Sequence, residues 1–146
     1  MIKEIIDYNE PLKLIEESYE TIKEEDSIEG QRAFINDFLY SDETYDQINN
    51  KEMIIYGYYD NDILAGVGSI DNDNYIKFLF VDKKYTHNNI GTMLLDYLCE
   101  IGRKRKKPIR LDSSISAVKF YKSYGFKEID GICLFNGMKY IPMIKE

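Results

Sequence analysis

The sequence predicts an α+β fold, a central mixed and mostly antiparallel sheet flanked by helices, in the order β-α-α-β-β-β-α-β-α-β-β. Three observations lead there. Apolar residues recur at helical spacing through the first forty positions. The pattern then turns extended and rich in Ile and Tyr from Met53 to Val81, and helical spacing returns at Ile90.

Met1 to Ile6 is a short apolar-rich opening with the length of a first strand. Pro11 suits an early helical position, and Leu12, Ile15, Tyr19 and Ile22 follow on one helical face. Gly30 interrupts, after which Phe34, Ile35, Phe38 and Leu39 mark a second amphipathic helix. The polar stretch from Ser41 to Asn50 is one more helical turn or a loop. Met53 to Asp60 and Ile63 to Ile70 form a hairpin about Asp60-Asn61-Asp62, and a second turn at Asp71 to Asn74 leads into a third strand, Tyr75 to Val81. Such a run of strands is an antiparallel meander.

A polar loop, Asp82 to Asn89, precedes a strong helix with Ile90, Leu94, Tyr97, Leu98 and Ile101 on one face. Ile109 to Asp112 is a short strand. Ala117, Phe120, Tyr121 and Tyr124 mark a further helix closed by Gly125. Phe126 to Phe135 and Met138 to Ile144 read as final strands around Asn136-Gly137, a preferred hairpin-turn dipeptide. The 146 residues suit one domain spanning 1–146, without repeats or linkers.

Composition narrows the function classes. A net charge of −7 argues against nucleic acid as a partner. The one basic run, Arg103 to Lys107, sits where a helix ends before Pro108, and cations there complement the negative end of the helix dipole. No apolar run approaches the roughly 20 residues of a membrane span. Met1 to Glu10 lacks a signal-peptide core, so the expected location is the cytoplasm, with no membrane partner. Cys99 and Cys133 are too far apart for a metal or redox spacing and read as small buried apolar residues. Thirteen Tyr and seven Phe, with no Trp, supply bulk with polar tips, suited to a wet cleft as well as a core.

The segment Val81-Asp82-Lys83-Lys84-Tyr85-Thr86-His87-Asn88-Asn89-Ile90-Gly91-Thr92 joins a buried strand to a helix start. Backbone N–H groups there lack intrahelical partners and sit at the positive end of the dipole, an arrangement that accepts phosphate oxygens. Asn88, Asn89 and Gly91 tolerate left-handed backbone or close approach.

This segment resembles the acyl-CoA motif of the GNAT superfamily of N-acetyltransferases, whose loop usually reads Gln/Arg-x-x-Gly-x-Gly/Ala. Gly91 matches the last position. Thr86 stands where Gln or Arg is usual and Asn89 where Gly is usual, and Asn is the best non-Gly residue at positive φ. A second signature, Ala117-x-x-Phe120-Tyr121-x-x-x-Gly125-Phe126, matches at every position about 30 residues downstream. Element order matches over the whole chain.

The resemblance implies an enzyme that moves an acetyl or other acyl group from acetyl-CoA to a primary amine by direct attack, without a metal. Leu79, Phe80 and Val81 are then the strand whose free backbone groups pair with the pantetheine arm, and an N–H near Leu79 polarises the acyl carbonyl. Thr86, His87, Asn88, Asn89, Ile90, Gly91 and Thr92 hold the pyrophosphate. Ser114 stands where relatives carry a pantetheine-binding Asn, and a helix N-cap explains it equally well. Tyr121 resembles the general acid for the leaving thiolate. His87, the single histidine, reads as a loop residue rather than a base.

The base is open. Relatives often place a Glu on the fourth strand, where this chain has Lys77 and Phe78. Asp71, Asp73 and Asp112 are candidates, as is water relayed by Tyr56 or Tyr58. Lys77 either greets an acidic group of the acceptor or snorkels from the sheet. The acidic stretch Glu16, Glu17, Glu20, Glu24, Glu25, Asp26 and Glu29 is a solvated helix face or, if it faces the cleft, favours a cationic acceptor. The unusual Thr86, Asn89 and missing Glu leave a second reading, a non-catalytic acyl-CoA-binding module of the same fold. Fold-level analogy adds a possible homodimer through exposed sheet edges.

Overall fold

The computed structural model describes residues 1–86 and 88–146. Among these residues nine strands form: β1 (Ile2–Ile5), β2 (Met53–Asp60), β3 (Ile63–Asp71), β4 (Tyr75–Ile76), β5 (Leu79–Val81), β6 (Ile109–Ser113), β7 (Lys127–Glu128), β8 (Cys133–Phe135) and β9 (Met138–Lys145). Five α-helices accompany them: α1 (Asn9–Glu20), α2 (Ile28–Ala33), α3 (Asp42–Asn49), α4 (Ile90–Lys104) and α5 (Val118–Tyr124). One antiparallel sheet runs β1-β2-β3-β5. The other runs β4-β6-β9-β7, with β8 attached to β9, and its β4–β6 pair is parallel. The expected α+β architecture, with its mixed and mostly antiparallel sheet flanked by helices, is what the chain adopts.

Among the described residues two large cores, with a smaller cluster of Ala65, Ile90 and Leu94, hold the layers together. Ile15, Leu39, Met53, Ile55, Val67 and Phe78 are buried between the N-terminal helices and the first sheet. Leu95, Leu98, Leu111, Tyr121, Phe126 and Met143 are buried where α4 and α5 meet the second. Helix α4 buries Ile90, Leu94, Leu95 and Leu98, while Tyr97 lies at its margin with its ring against Tyr56.

The expected single strand Tyr75 to Val81 is in fact broken. Tyr75 and Ile76 pair with Arg110 and Leu111, whereas Leu79 to Val81 pair only with β3. The break lies at Lys77-Phe78, where Phe78 is fully buried. Its N–H donates to the Ser69 hydroxyl at 2.9 Å, and its carbonyl accepts from the Ser69 N–H at 2.9 Å. A buried serine thereby satisfies a peptide that has left one ladder for the other. The two sheets diverge from this point.

Other expectations change too. Ser41 to Asn50 is mostly the helix α3, started by Ser41, whose hydroxyl accepts from the Thr44 N–H at 3.1 Å. Phe34 to Leu39 is a single widened turn with a Tyr40 N–H to Ile35 carbonyl bond, which extends α2 rather than opening a new helix. Phe126 to Phe135 is two short strands, β7 and β8, both on β9. The basic run is not simply solvated, because the Arg105 guanidinium donates to the Asp71 carbonyl at 2.5 Å and to Asn74 Oδ1 at 3.1 Å. Cys99 is buried as expected, but Cys133 is only half-buried.

Gly30 does not interrupt a helix. It lies inside α2, pressed against the Asn136-Gly137 turn of the β8–β9 hairpin, and a Cβ at Gly30 would stand 2.2 Å from the Gly137 carbonyl oxygen. Asn136 and Gly137 both have positive φ (49° and 89°), as the two-residue hairpin requires. Because the obstructing atom is backbone, relief demands that the hairpin move. Gly30→Ala is therefore expected to destabilise the protein by about 2–3 kcal/mol in urea unfolding.

Candidate functional site

Two regions flank β5. Beyond its C-terminal end, Asn89 occupies the left-handed region (φ 59°) and delivers the chain into α4 without a side-chain cap. The first intrahelical acceptor is used by the Met93 N–H, on the Asn89 carbonyl. The N–H groups of Ile90, Gly91 and Thr92 precede it, and no partner for them exists among the described residues. Thr86, Asn88 and Asn89 are exposed beside them, whereas the Ile90 side chain is buried in the core, so only its backbone can face a ligand. The Thr86 hydroxyl donates to the Lys83 carbonyl at 3.2 Å. His87 lies outside the described residues.

Gly91 is informative. A Cβ there would meet Phe120 and Val81 at 3.6 Å, ordinary contact. The packing of the chain itself therefore does not demand glycine at this position.

On the other side of β5, the divergence from β6 opens a cavity of about 650 Å³. Leu79, Phe80 and Val81 line it, as do Ser114, Ala117 and Tyr121 across the gap. The ladder to β3 engages Phe78 and Asp82 through Ser69 and Ala65, with Phe80 opposite Val67 between them. Alternation then turns the main-chain groups of Leu79 and Val81 away from β3, toward the cavity. The Val81 carbonyl is already used, accepting from Ser18 Oγ at 3.2 Å. Ser114 is at the start of a one-turn 3-10 segment but makes no capping bond with its side chain. The N-cap alternative for its hydroxyl is thus not realised.

Tyr121 projects from α5 into this gap, 7% exposed. Burial pushes its phenol well above the usual tyrosine range. It is therefore a weaker acid than a free phenol, but it holds its proton at any working pH.

The three aspartates of the sequence reading separate cleanly. Asp73 is exposed, near Lys107 at 3.9 Å, and does not border the cavity. Asp71 borders it, but its Oδ1 accepts from the N–H groups of Asp73 and Tyr75 at 2.8 and 2.9 Å, holding the turn. Asp112 borders it from β6, and its carboxylate accepts from the Tyr75 hydroxyl. Desolvation raises the Asp112 carboxyl above the ordinary range, and the Tyr75 bond offsets part of that. Tyr56 and Tyr58 do not border the cavity: Tyr56 packs on the core that also holds Tyr121, and Tyr58 on the cluster of Ala65, Ile90 and Leu94.

Lys77 faces the same end of the cavity. Its ammonium donates to Thr44 Oγ1 at 2.7 Å and Gln47 Oε1 at 3.4 Å, and lies 5.0 Å over the Phe38 ring. Desolvation lowers its pKa. The lysine ties β4 to α3 rather than snorkelling outward.

Of the N-terminal acidic stretch, Glu25 and Asp26 reach the wall, while Glu17 and Glu20 pair with Lys13 and Lys23 on the helix surface. Glu25 accepts from the Ile115 N–H at 2.8 Å, and Asp26 from the Lys139 N–H at 2.7 Å. Two further wall carboxylates, Asp37 and Glu43, were not singled out in the sequence. Both sit on polar faces of helical turns, where nothing local marks them as facing inward. Six carboxylates and two lysines, Lys77 and Lys139, thus border the cavity.

Residues 14–146 match the family of the acetyltransferase (GNAT) domain. The chain belongs to that family. One curated relative is an uncharacterized N-acetyltransferase, YafP, of Escherichia coli K12, 35% identical over 57 residues. That match covers 39% of this chain and only 35% of the relative's length. A GCN5-related N-acetyltransferase from Rhodopseudomonas palustris aligns at a TM-score of 0.81, with 19% identity over 100% of this chain and 94% of its own. PaiA N-acetyltransferase from Thermoplasma acidophilum, solved with coenzyme A, aligns at 0.68 with 22% identity, over 100% and 99% of the two chains. At these identities the structures support the GNAT fold.

The left-handed Asn89 gives a direct test of the loop. Asn89→Gly is expected to keep coenzyme A affinity within about twofold, since Gly replaces Asn at a helix N-cap at a cost of a few tenths of a kcal/mol. Asn89→Val pays roughly 1–2 kcal/mol for the same backbone and is expected to weaken binding about tenfold by calorimetry.

Proposed function

We propose that the protein transfers an acetyl or similar acyl group from acyl-CoA to a primary amine, by direct attack within a ternary complex. The observation that carries this reading is the divergence of β5 from β6, with Tyr121 set in the gap. The residues present fit the acyl donor. The N–H groups of Ile90, Gly91 and Thr92, with Thr86, Asn88 and Asn89 beside them, make a cradle for the pyrophosphate. Gly91, which the fold itself does not require, leaves room for its approach. The main-chain groups of Leu79 and the Val81 N–H suit the pantetheine arm, and the Ser114 hydroxyl, 3.5 Å from that of Ser116, lies opposite.

The thioester supplies an activated acyl carbon and a good leaving group. The Leu79 N–H, turned into the gap, is placed to receive the developing oxyanion. Tyr121 is the proton donor to the departing sulfur. Its raised pKa keeps it loaded, and its role is strongest when the thiolate is already forming.

The wall charge favours an acceptor that is a cation. Carboxylates outnumber lysines there six to two, and Lys77 is held on Thr44, Gln47 and Phe38. An amine in solution near neutral pH is an ammonium ion, so such a wall gathers it.

Acetyl-CoA incubated with the protein and a panel of alkyl diamines, amino sugars and lysine peptides is expected to release free thiol. Raising salt is expected to raise KM for the acceptor with little change in kcat. Tyr121→Phe is expected to lower kcat on the order of 10²-fold or more while coenzyme A affinity holds. Tight coenzyme A binding without thiol release on any amine would support a binding module instead, and no binding would remove both readings.

A further inference from the structure

We infer that Asp112, oriented by the Tyr75 hydroxyl, is the group that takes the proton from the acceptor ammonium. The inference rests on the acyl-transfer reading above and names the base which that reading leaves open.

The position follows from strand alternation. Leu111 and Ser113 of β6 are buried on the side of α4 and α5, and Leu111 shares a core with Tyr121. Asp112, between them, must point to the opposite face of the sheet. The parallel pairing of β4 with β6 stops at Ile76 and Leu111, so Asp112 is the first β6 residue past the junction. Tyr121 and Asp112 thus border one cavity from opposite faces of the sheet at β6. That separates the two proton tasks, with the sulfur on the helix side and the amine on the open side.

The surroundings suit a base. Tyr75 from β4 donates to the carboxylate, and Tyr140 from β9 stands near it. Asp71 from β3, Lys77 after β4, Glu43 from α3 and Lys139 from β9 share the wall. Asp71 is committed to its turn and Lys77 to α3, so neither competes for the amine. Among the described residues only Tyr75 bonds the Asp112 carboxylate. Desolvation raises its basicity.

The proton balance is complete without another reactant. The ammonium gives one proton to the Asp112 carboxylate, and the neutral amine forms the C–N bond at the thioester carbon. The C–S bond breaks, and the sulfur takes the Tyr121 phenol proton. The second proton lost by nitrogen restores the phenol. Asp112 returns its proton to water. The products are amide, thiol and one proton.

The experiment follows thiol release against pH, with acetyl-CoA and 1,5-diaminopentane or whichever panel amine turns over fastest. Wild type binds the ammonium directly on the ionised carboxylate, so kcat/KM is expected to be flat from near neutrality toward the amine pKa. D112N must wait for free amine. Its kcat/KM is expected to rise about tenfold per pH unit, with a deficit on the order of 10²–10⁴-fold near pH 7 that shrinks as pH climbs. Coenzyme A affinity, measured by calorimetry, is expected to be unchanged in D112N. In Y75F the carboxylate loses a donor to its charged form, so its pKa rises and the acid limb moves to higher pH, with the plateau within about threefold. A D112N profile parallel to wild type, or an acid limb unmoved in Y75F, overturns the proposal. Wild type that releases thiol while D112N matches it sinks only this base. Wild type that releases none sinks the function reading first.

Discussion

A single pair of hydrogen bonds between Ser69 and Phe78 holds the molecule's two sheets apart while keeping its interior satisfied. Were residues 75–81 a continuous strand, β5 would pair with β6 and no gap would exist. Instead the chain steps out of the ladder at Lys77-Phe78, and the buried Ser69 hydroxyl takes the N–H that the step orphans. The Phe78 ring anchors the step in the core beneath α1 and the widened turn. The free edge of β5 and the position of Asp112 as the first residue of β6 past the junction both follow from this step, and the α5 tyrosine borders the gap it opens.

The same economy governs the site's charges. Several carboxylates at the cavity rim already hold parts of the fold, with Glu25 on Ile115, Asp26 on Lys139 and Asp71 on its own turn. A raised pKa means opposite things at the two key residues. In the proposed reaction it would make Asp112 a stronger base, and Tyr121 a weaker acid that keeps its proton.

Much of this was legible in the chain, for identifiable reasons. Helices and strands announced themselves through periodicity, and Asn61, Asn74 and Asn136 at positive φ fall in the turns that their residue types suggested. The family itself was legible because its two short signatures, ending at Gly91 and at Phe126, need particular residues at fixed spacing. The break at Lys77-Phe78 was not, since Phe78 continues an apolar strand and its partner Ser69 is distant in sequence. Gly30 read as a helix breaker because its reason, the Gly137 carbonyl, lies over a hundred residues away. Asp37 and Glu43 look like any solvated helix residues until tertiary packing turns them inward.

The contact between Gly30 and Gly137 also bears on how the chain reaches its folded state. Backbone meets backbone there, and Asn136 Nδ2 reaches Asp37 while the Lys139 N–H reaches Asp26. One wall of the cavity thus joins segments about a hundred residues apart. During synthesis the N-terminal helices emerge long before the hairpin that they pack against, and contacts of such sequence separation form late. The first sheet has all its pairings by Val81, but this wall of the cavity closes only after β9 has arrived.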